Sequence, residues 1–301
     1  MKRGLITWDK NEIPPAAFER RLKKVRRALA ERQLPALVVY SELWRSNQAR
    51  FFSNYMPYFN RALLIIPVEH PPTLLCGLSP RVYGWIRSVT IIEDVRPAPN
   101  FAKPLFQLAA ERNWSKLGML DFEQFPYDIH KALRGGSLEL VNVESDGVYS
   151  PEKDETELAM RRKAAEMTRE ILETELPKGV GDIDHHFAGR LERQFRRLGT
   201  EDLVTLLTNG DTVPAPPAGA KLEDSFSVSV AMEYRGHWVR VTRPHATEQV
   251  LQECRTLLDK ASLTENLAGS YPYECGDGSI VARQVELNVN GKRFFYGDTI
   301  L

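Results

Sequence analysis

The segment Ser225–Arg243 constrains the fold most. Phe226, Val228 and Val230 alternate with Ser225, Ser227 and Ser229, which is the two-residue period of a strand with one apolar face. Tyr234-Arg235-Gly236 supplies turn chemistry, and the alternation resumes from His237 to Thr242 through Trp238. The segment therefore predicts a half-buried β-hairpin.

Ahead of the hairpin the period of the chain changes several times. Arg20–Arg32 predicts a helix, with Leu22, Val25 and Leu29 on an apolar stripe and Lys23, Lys24, Arg26 and Arg27 on a solvated face. Leu34–Tyr40 and Ala62–Pro67 read as buried strands separated by a polar segment. Apolar runs at Thr73–Cys76, Thr90–Ile92, Lys116–Leu120 and Leu138–Val143 alternate with helix-like stretches such as Pro104–Arg112. That order predicts an α/β domain with a largely parallel sheet. Ser150-Pro151-Glu152 then opens a long helical run through Leu158–Leu172, and Phe187, Leu191, Phe195 and Leu198 mark a second amphipathic helix ending at Gly199. A domain boundary is expected near residue 150, giving residues 1–150 as an α/β domain and 151–301 as an α+β domain.

Composition narrows the partners. The 301 residues carry 40 basic and 40 acidic side chains, so no net charge draws the chain to nucleic acid. No apolar run approaches membrane-spanning length, and Met1–Asp9 has no hydrophobic signal core. Cys76, Cys254 and Cys275 are widely spread, as reduced thiols would be, so the expected location is the cytoplasm. No CxxC, P-loop or GxGxxG motif is present, and no short-period repeat.

Tyr234, Gly236, Thr242 and Arg243 fit a frame of strand, Tyr-x-Gly turn and strand ending in Thr-Arg. In this the hairpin resembles that of the creatinase and aminopeptidase P family, peptidase clan M24. The helix, strand, gap, strand order of the first half is similar to the creatinase-type amino-terminal domain. Leu176-Pro177-Lys178-Gly179 resembles the loop that ends the first helix of the family's catalytic domain, and Gly297-Asp298-Thr299 resembles its closing strand. The resemblance implies a creatinase-type α/β domain followed by a shortened pita-bread domain. It also implies a homodimer, or a heterodimer with a larger M24-like subunit.

Metal-dependent members bridge two divalent ions with one Asp from each hairpin strand, because hard cations take carboxylate oxygens. Counted from the turn, those positions fall on Val230 and Arg240, one without a lone pair and the other a cation. Gly297 stands where the last metal-binding glutamate is expected. The stretch between Ala261 and Val281 is too short for the segment that carries the His-Gly motif and another glutamate. The resemblance thus implies neither metal nor cofactor. Creatinase itself works without metal, through a histidine in a Pro-His loop ahead of the first strand. The corresponding loop here is Val213-Pro214-Ala215-Pro216-Pro217, with Ala215 in that place.

Three functions stay open. The first is a catalytically degenerate member acting as a binding module or as a non-catalytic subunit. The second is a metal-independent, creatinase-like enzyme that splits a C–N bond of a small carboxylate-bearing substrate. In it, His237 or His245 would be the acid–base group and Glu233 its partner; otherwise both histidines are exposed turn residues. Phe59 and Arg61 are similar to the Phe-x-Arg with which creatinase holds the substrate carboxylate. Arg240 and Arg243 suit a small anionic ligand, or an ion pair with an acid such as Glu233. The third function is a metallopeptidase with replaced ligands, which needs several of Asp211, Glu223, Asp224, Glu274, Asp277 and Glu286 to converge. Asp184-His185-His186 reads as the start of a surface helix, since adjacent helical residues point in different directions. Exposed apolar surface at Tyr271, Tyr273, Phe294 and Phe295 would mark a partner face.

Overall fold

Proline at the start of a helix loses no hydrogen bond, because the first amides of a helix have no partner within it. The first helix, α1 (Pro15–Glu31), begins this way and buries Phe18, Leu22, Val25 and Leu29. In this computed structural model, which describes residues 7–57, 59–145, 147–260 and 282–299, the chain divides into two units, Met1–Thr156 and Glu157–Leu301.

In the first unit α1 is followed by β1 (Ala36–Ser41), α2 (Asn47–Ser53), β2 (Ala62–Pro67), β3 (Thr73–Cys76), α3 (Tyr83–Val89) and β4 (Asp94–Pro97). Then come α4 (Ala102–Glu111), β5 (Lys116–Leu120), α5 (Tyr127–Arg134) and β6 (Glu139–Val143). The sheet order is β4-β3-β2-β1-β5-β6. The sheet is mixed rather than largely parallel, because β2 pairs antiparallel with both β1 and β3. Thr90–Ile92 forms no strand: Thr90 closes α3, and the strand starts later, at Asp94. Both faces are covered, which is why β1 and β2 are apolar without alternation. Leu37, Val39 and Leu64 pack with α1 and α2, while Val38, Tyr40 and Leu63 pack with α4 and α5. A further arginine of α1 lies outside the solvated face. Arg21 is buried, bonded to both oxygens of Asp154 at 2.9 and 2.7 Å and to the Phe51 carbonyl at 2.8 Å.

The second unit holds α6 (Glu155–Glu175), α7 (Asp184–Arg197), β7 (Asp202–Asn209), β8 (Phe226–Tyr234), β9 (His237–His245), α8 (Glu248–Lys260), β10 (Ala282–Val289) and β11 (Lys292–Thr299). Its sheet runs β10-β11-β9-β8-β7, antiparallel throughout. The hairpin expected from the sequence is β8 and β9. Its link is Arg235-Gly236, with φ of 52° and 79°, the backbone that a two-residue hairpin turn requires.

Side chains alternate across a strand, so the register sorts them by face. Phe226, Val228, Val230 and Met232 share one face with His237, Val239, Val241 and Arg243. This is the helix side: Phe226 meets Phe187 of α7 edge to face at 5.6 Å, and Phe294 and Tyr296 pack on Val250 and Cys254 of α8. Ser229, Ala231 and Glu233 share the opposite face with Trp238, Arg240 and Thr242. Phe294 and Phe295 are buried and offer no partner face, while Tyr271 and Tyr273 lie outside the described residues.

Candidate functional site

The register corrects one expectation at once. Arg240 lies opposite Ala231, and Val230 lies opposite Val241, so Val230 and Arg240 project from opposite faces and cannot mark one bridging pair. The residues that share Arg240's face are Ser229 and Thr242, joined by Gln284 from β10. Thr242 Oγ1 donates to Ser229 Oγ at 3.0 Å or to Gln284 Oε1 at 2.9 Å. Gln284 in turn is the register partner of Gly297. Serine, threonine and glutamine do not titrate near neutral pH, so this chain of hydrogen bonds is neutral.

A dinuclear metal centre of the kind that metal-dependent members carry does not fit this face. Arg240 brings a cation to it, buried beside Ser229 and Thr242. At Gly297 a Cβ would lie 2.6 Å from the backbone oxygen of Arg283 and 3.2 Å from Gln284 Cα, so a glutamate side chain has no way out. Among the described residues no group of three or more His, Cys, Asp or Glu is placed to hold a metal ion. Of the residues named for a replacement site, Glu286 is taken by Arg293 at 2.6 Å and Asp224 by Lys292 at 2.8 Å. Glu274 and Asp277 lie outside the described residues.

The acid–base set is also divided. By register, His237 and His245 are on the helix side and Glu233 is on the other face. His237 is buried and stands 3.5 Å from Glu157, in the first turn of α6, which is buried as well. The pair joins the start of β9 to α6. His245 stacks on the Phe226 ring at 5.4 Å, and its Nδ1 is 2.8 Å from the Asp224 carbonyl.

The arginines fall into three settings. Arg243 donates to the carbonyls of Thr242 and Gly297 at 2.9 and 2.8 Å and to both oxygens of Asp298, over the Tyr296 ring. It ties strand to strand. Arg240 and Glu233 sit diagonally on one face, both buried. Arg61 lies in the first unit, half-buried, with its Nη1 2.8 Å from Asp128; Phe59 is 60% exposed. Hydrogen bonding to Asp128 raises the Arg61 pKa, and the same bond lowers that of Asp128.

Sequence reasoning missed two buried acids. Glu201 lies just ahead of β7; its amide donates to the Glu233 carbonyl at 2.9 Å. Burial pushes its carboxyl pKa up to about 8, the charge of Glu233 adds to this, and Arg235 opposes it. Asp184 does more than start a helix. Its carboxylate accepts the amides of Ala218, Gly219 and Ala220 at 2.8, 2.8 and 3.2 Å. Burial raises its pKa, but these amides outweigh burial and hold it below the usual carboxylate range. The same loop is fastened upstream, where Ala215 and Leu207 exchange both backbone hydrogen bonds at 2.8 and 2.9 Å. The proline spacing signals a loop, but nothing local signals its anchor.

Known proteins of this architecture supply the context. Residues 21–148 match the sequence pattern of the Creatinase/Prolidase N-terminal domain. No curated protein matches the chain by sequence. Among solved structures, the prolidase from Pyrococcus horikoshii OT3 is similar over 94% of this chain and 95% of its own, with a TM-score of 0.67 at 14% identity. The X-Pro aminopeptidase from Thermotoga maritima MSB8 is similar over 93% and 94%, with a TM-score of 0.68 at 15% identity. The prolidase from Pyrococcus furiosus is similar over 93% and 95%, with a TM-score of 0.66 at 14% identity. At such identities the likeness establishes the fold, while chemistry has to be argued from the residues.

Proposed function

We infer, for a chain whose residues 21–148 form a creatinase/prolidase amino-terminal domain and whose fold is that of prolidases and X-Pro aminopeptidases, that the protein is a catalytically degenerate form of this fold. It acts as a binding module or as the non-catalytic subunit of a dimer. One observation carries the reading. The polar face of the second sheet is filled by Arg240 and a closed, neutral hydrogen-bond chain, Ser229–Thr242–Gln284, beside a glycine that admits no side chain.

Exposed aromatics of the first unit support a partner face there. Trp44, Phe59 and Tyr127 are 41%, 60% and 77% exposed. Arg61 and Asp128 link the neighbourhoods of Phe59 and Tyr127. Large exposed aromatics beside an arginine are the composition that protein interfaces favour. The partner we propose is a second chain of the same fold, either another copy or a larger relative. Among the described residues no helix is long and apolar enough to cross a membrane.

Native mass spectrometry with metal analysis on the same sample tests this reading. A metal-free complex with a second chain of this fold supports the subunit role. Turnover of a small carboxylate-bearing substrate by a metal-free homodimer would move the reading to the creatinase-like enzyme. Stoichiometric zinc, manganese or iron would overturn it.

A further inference from the structure

On the helix side of the second sheet, two arginines from two elements hold one carboxylate, and a third arginine leaves a neighbouring strand beside it. Arg169 of α6 donates from Nε to Asp298 Oδ1 at 2.8 Å, and Arg243 of β9 donates from Nη2 to both oxygens at 3.1 and 3.0 Å. Arg283 of β10 is the register partner of Asp298, so its side chain leaves on the same face. Its Nε is buried and has no acceptor among the described residues. Arginine does not shed its charge to escape burial, so this guanidinium keeps its positive charge there.

Asp298 is shared by Arg169 and Arg243, Arg283 beside it makes no ion pair with it, and the cluster is partly open. The side chains of Arg169 and Asp298 are 29% and 25% exposed, whereas that of Arg243 is 7% exposed. Arg243 spends its hydrogen bonds on the protein and is stacked over Tyr296. Arg169 uses only its Nε in the pair with Asp298, which leaves its terminal N–H groups for another acceptor.

The geometry points to a binding site for a small, doubly charged oxyanion, of which inorganic phosphate is the simplest, held by Arg169 and Arg283 at the solvent edge of the Asp298 cluster. The guanidinium fork matches phosphate oxygens in pairs, and Asp298 serves to fix Arg169 and Arg243. This site lies on the opposite sheet face from Arg240 and Ser229 and does not depend on whether that face is catalytic.

Thermal unfolding with inorganic phosphate, at an ionic strength kept constant with chloride, tests the site. A ligand that binds only the folded protein at ten times its Kd should raise the midpoint by about 2–4 °C. Arg283→Gln should abolish the rise, and Arg193→Gln, on the exposed side of α7, should retain it. If Arg283→Gln does not fold, Arg169→Gln gives the same readout. No rise beyond chloride, an equal rise with acetate, or a rise retained in both site variants would overturn the proposal.

Discussion

Arg240 stands opposite Ala231 across the β8–β9 hairpin, while Val230 stands opposite Val241. Restoring aspartates by counting from the turn, as Val230→Asp with Arg240→Asp, therefore puts two carboxylates on different faces. The double variant should take up no stoichiometric divalent metal, measured by elemental analysis after gel filtration. Val230→Asp alone should lower stability by about 3–5 kcal/mol, because the carboxylate would be buried unpaired against helices.

Gly297 is held by contact rather than by its φ. A methyl group there would press on the Arg283 carbonyl, a backbone atom that cannot swing aside. Gly297→Ala should cost about 1–3 kcal/mol, seen as a lower urea midpoint at an unchanged slope. An unchanged midpoint would mean that β10 and β11 are spaced more loosely than described.

Glu201 makes stability fall towards alkaline pH. Its folded pKa, pushed up to about 8, lies above the ordinary glutamate value, so the folded state holds the proton more tightly. The stabilisation is complete below the unfolded pKa and is lost as pH rises through the folded one. Glu201→Gln should remove that slope. The variant should gain on the wild type by about 1–3 kcal/mol between about pH 5 and pH 9; parallel pH profiles would refute the protonated form.

Asp184 has the opposite sign. Its folded pKa is depressed, so its contribution is present above the unfolded carboxylate value and is lost as pH falls through the lower folded value. Asp184→Ala should cost about 1–3 kcal/mol near neutral pH, and the difference from wild type should close in acid. Hydrogen exchange at the amides of Ala218, Gly219 and Ala220 should accelerate in the variant. Unchanged protection would show that the loop keeps its shape without this anchor.

The fold was legible wherever one local period dominates. Ala62–Pro67, Thr73–Cys76 and Lys116–Leu120 form strands at the residues where their apolar runs begin and end. Thr90–Ile92 misled because its apolar residues fill the end of a helix and the loop after it, and three residues cannot separate the two periods. The site was harder to read. The alternation puts Val230 and Ser229 on different faces, but partners depend on register, a long-range property: no local pattern says that Ser229 meets Thr242 and Gln284. Likewise, Glu157 and His237 are 3.5 Å apart only because the first turn of α6 meets the start of β9.

The link Arg235-Gly236 acts as a phase setter for the whole second sheet. One residue added between Tyr234 and His237 would slide β9 by a single step against β8. Arg240 and Thr242 would then turn towards the helices, and Arg243 would swing away from Asp298. Two dihedral angles thus decide which arginine each side of the sheet displays, so evolution could exchange the two displays by an insertion without altering any residue that carries them.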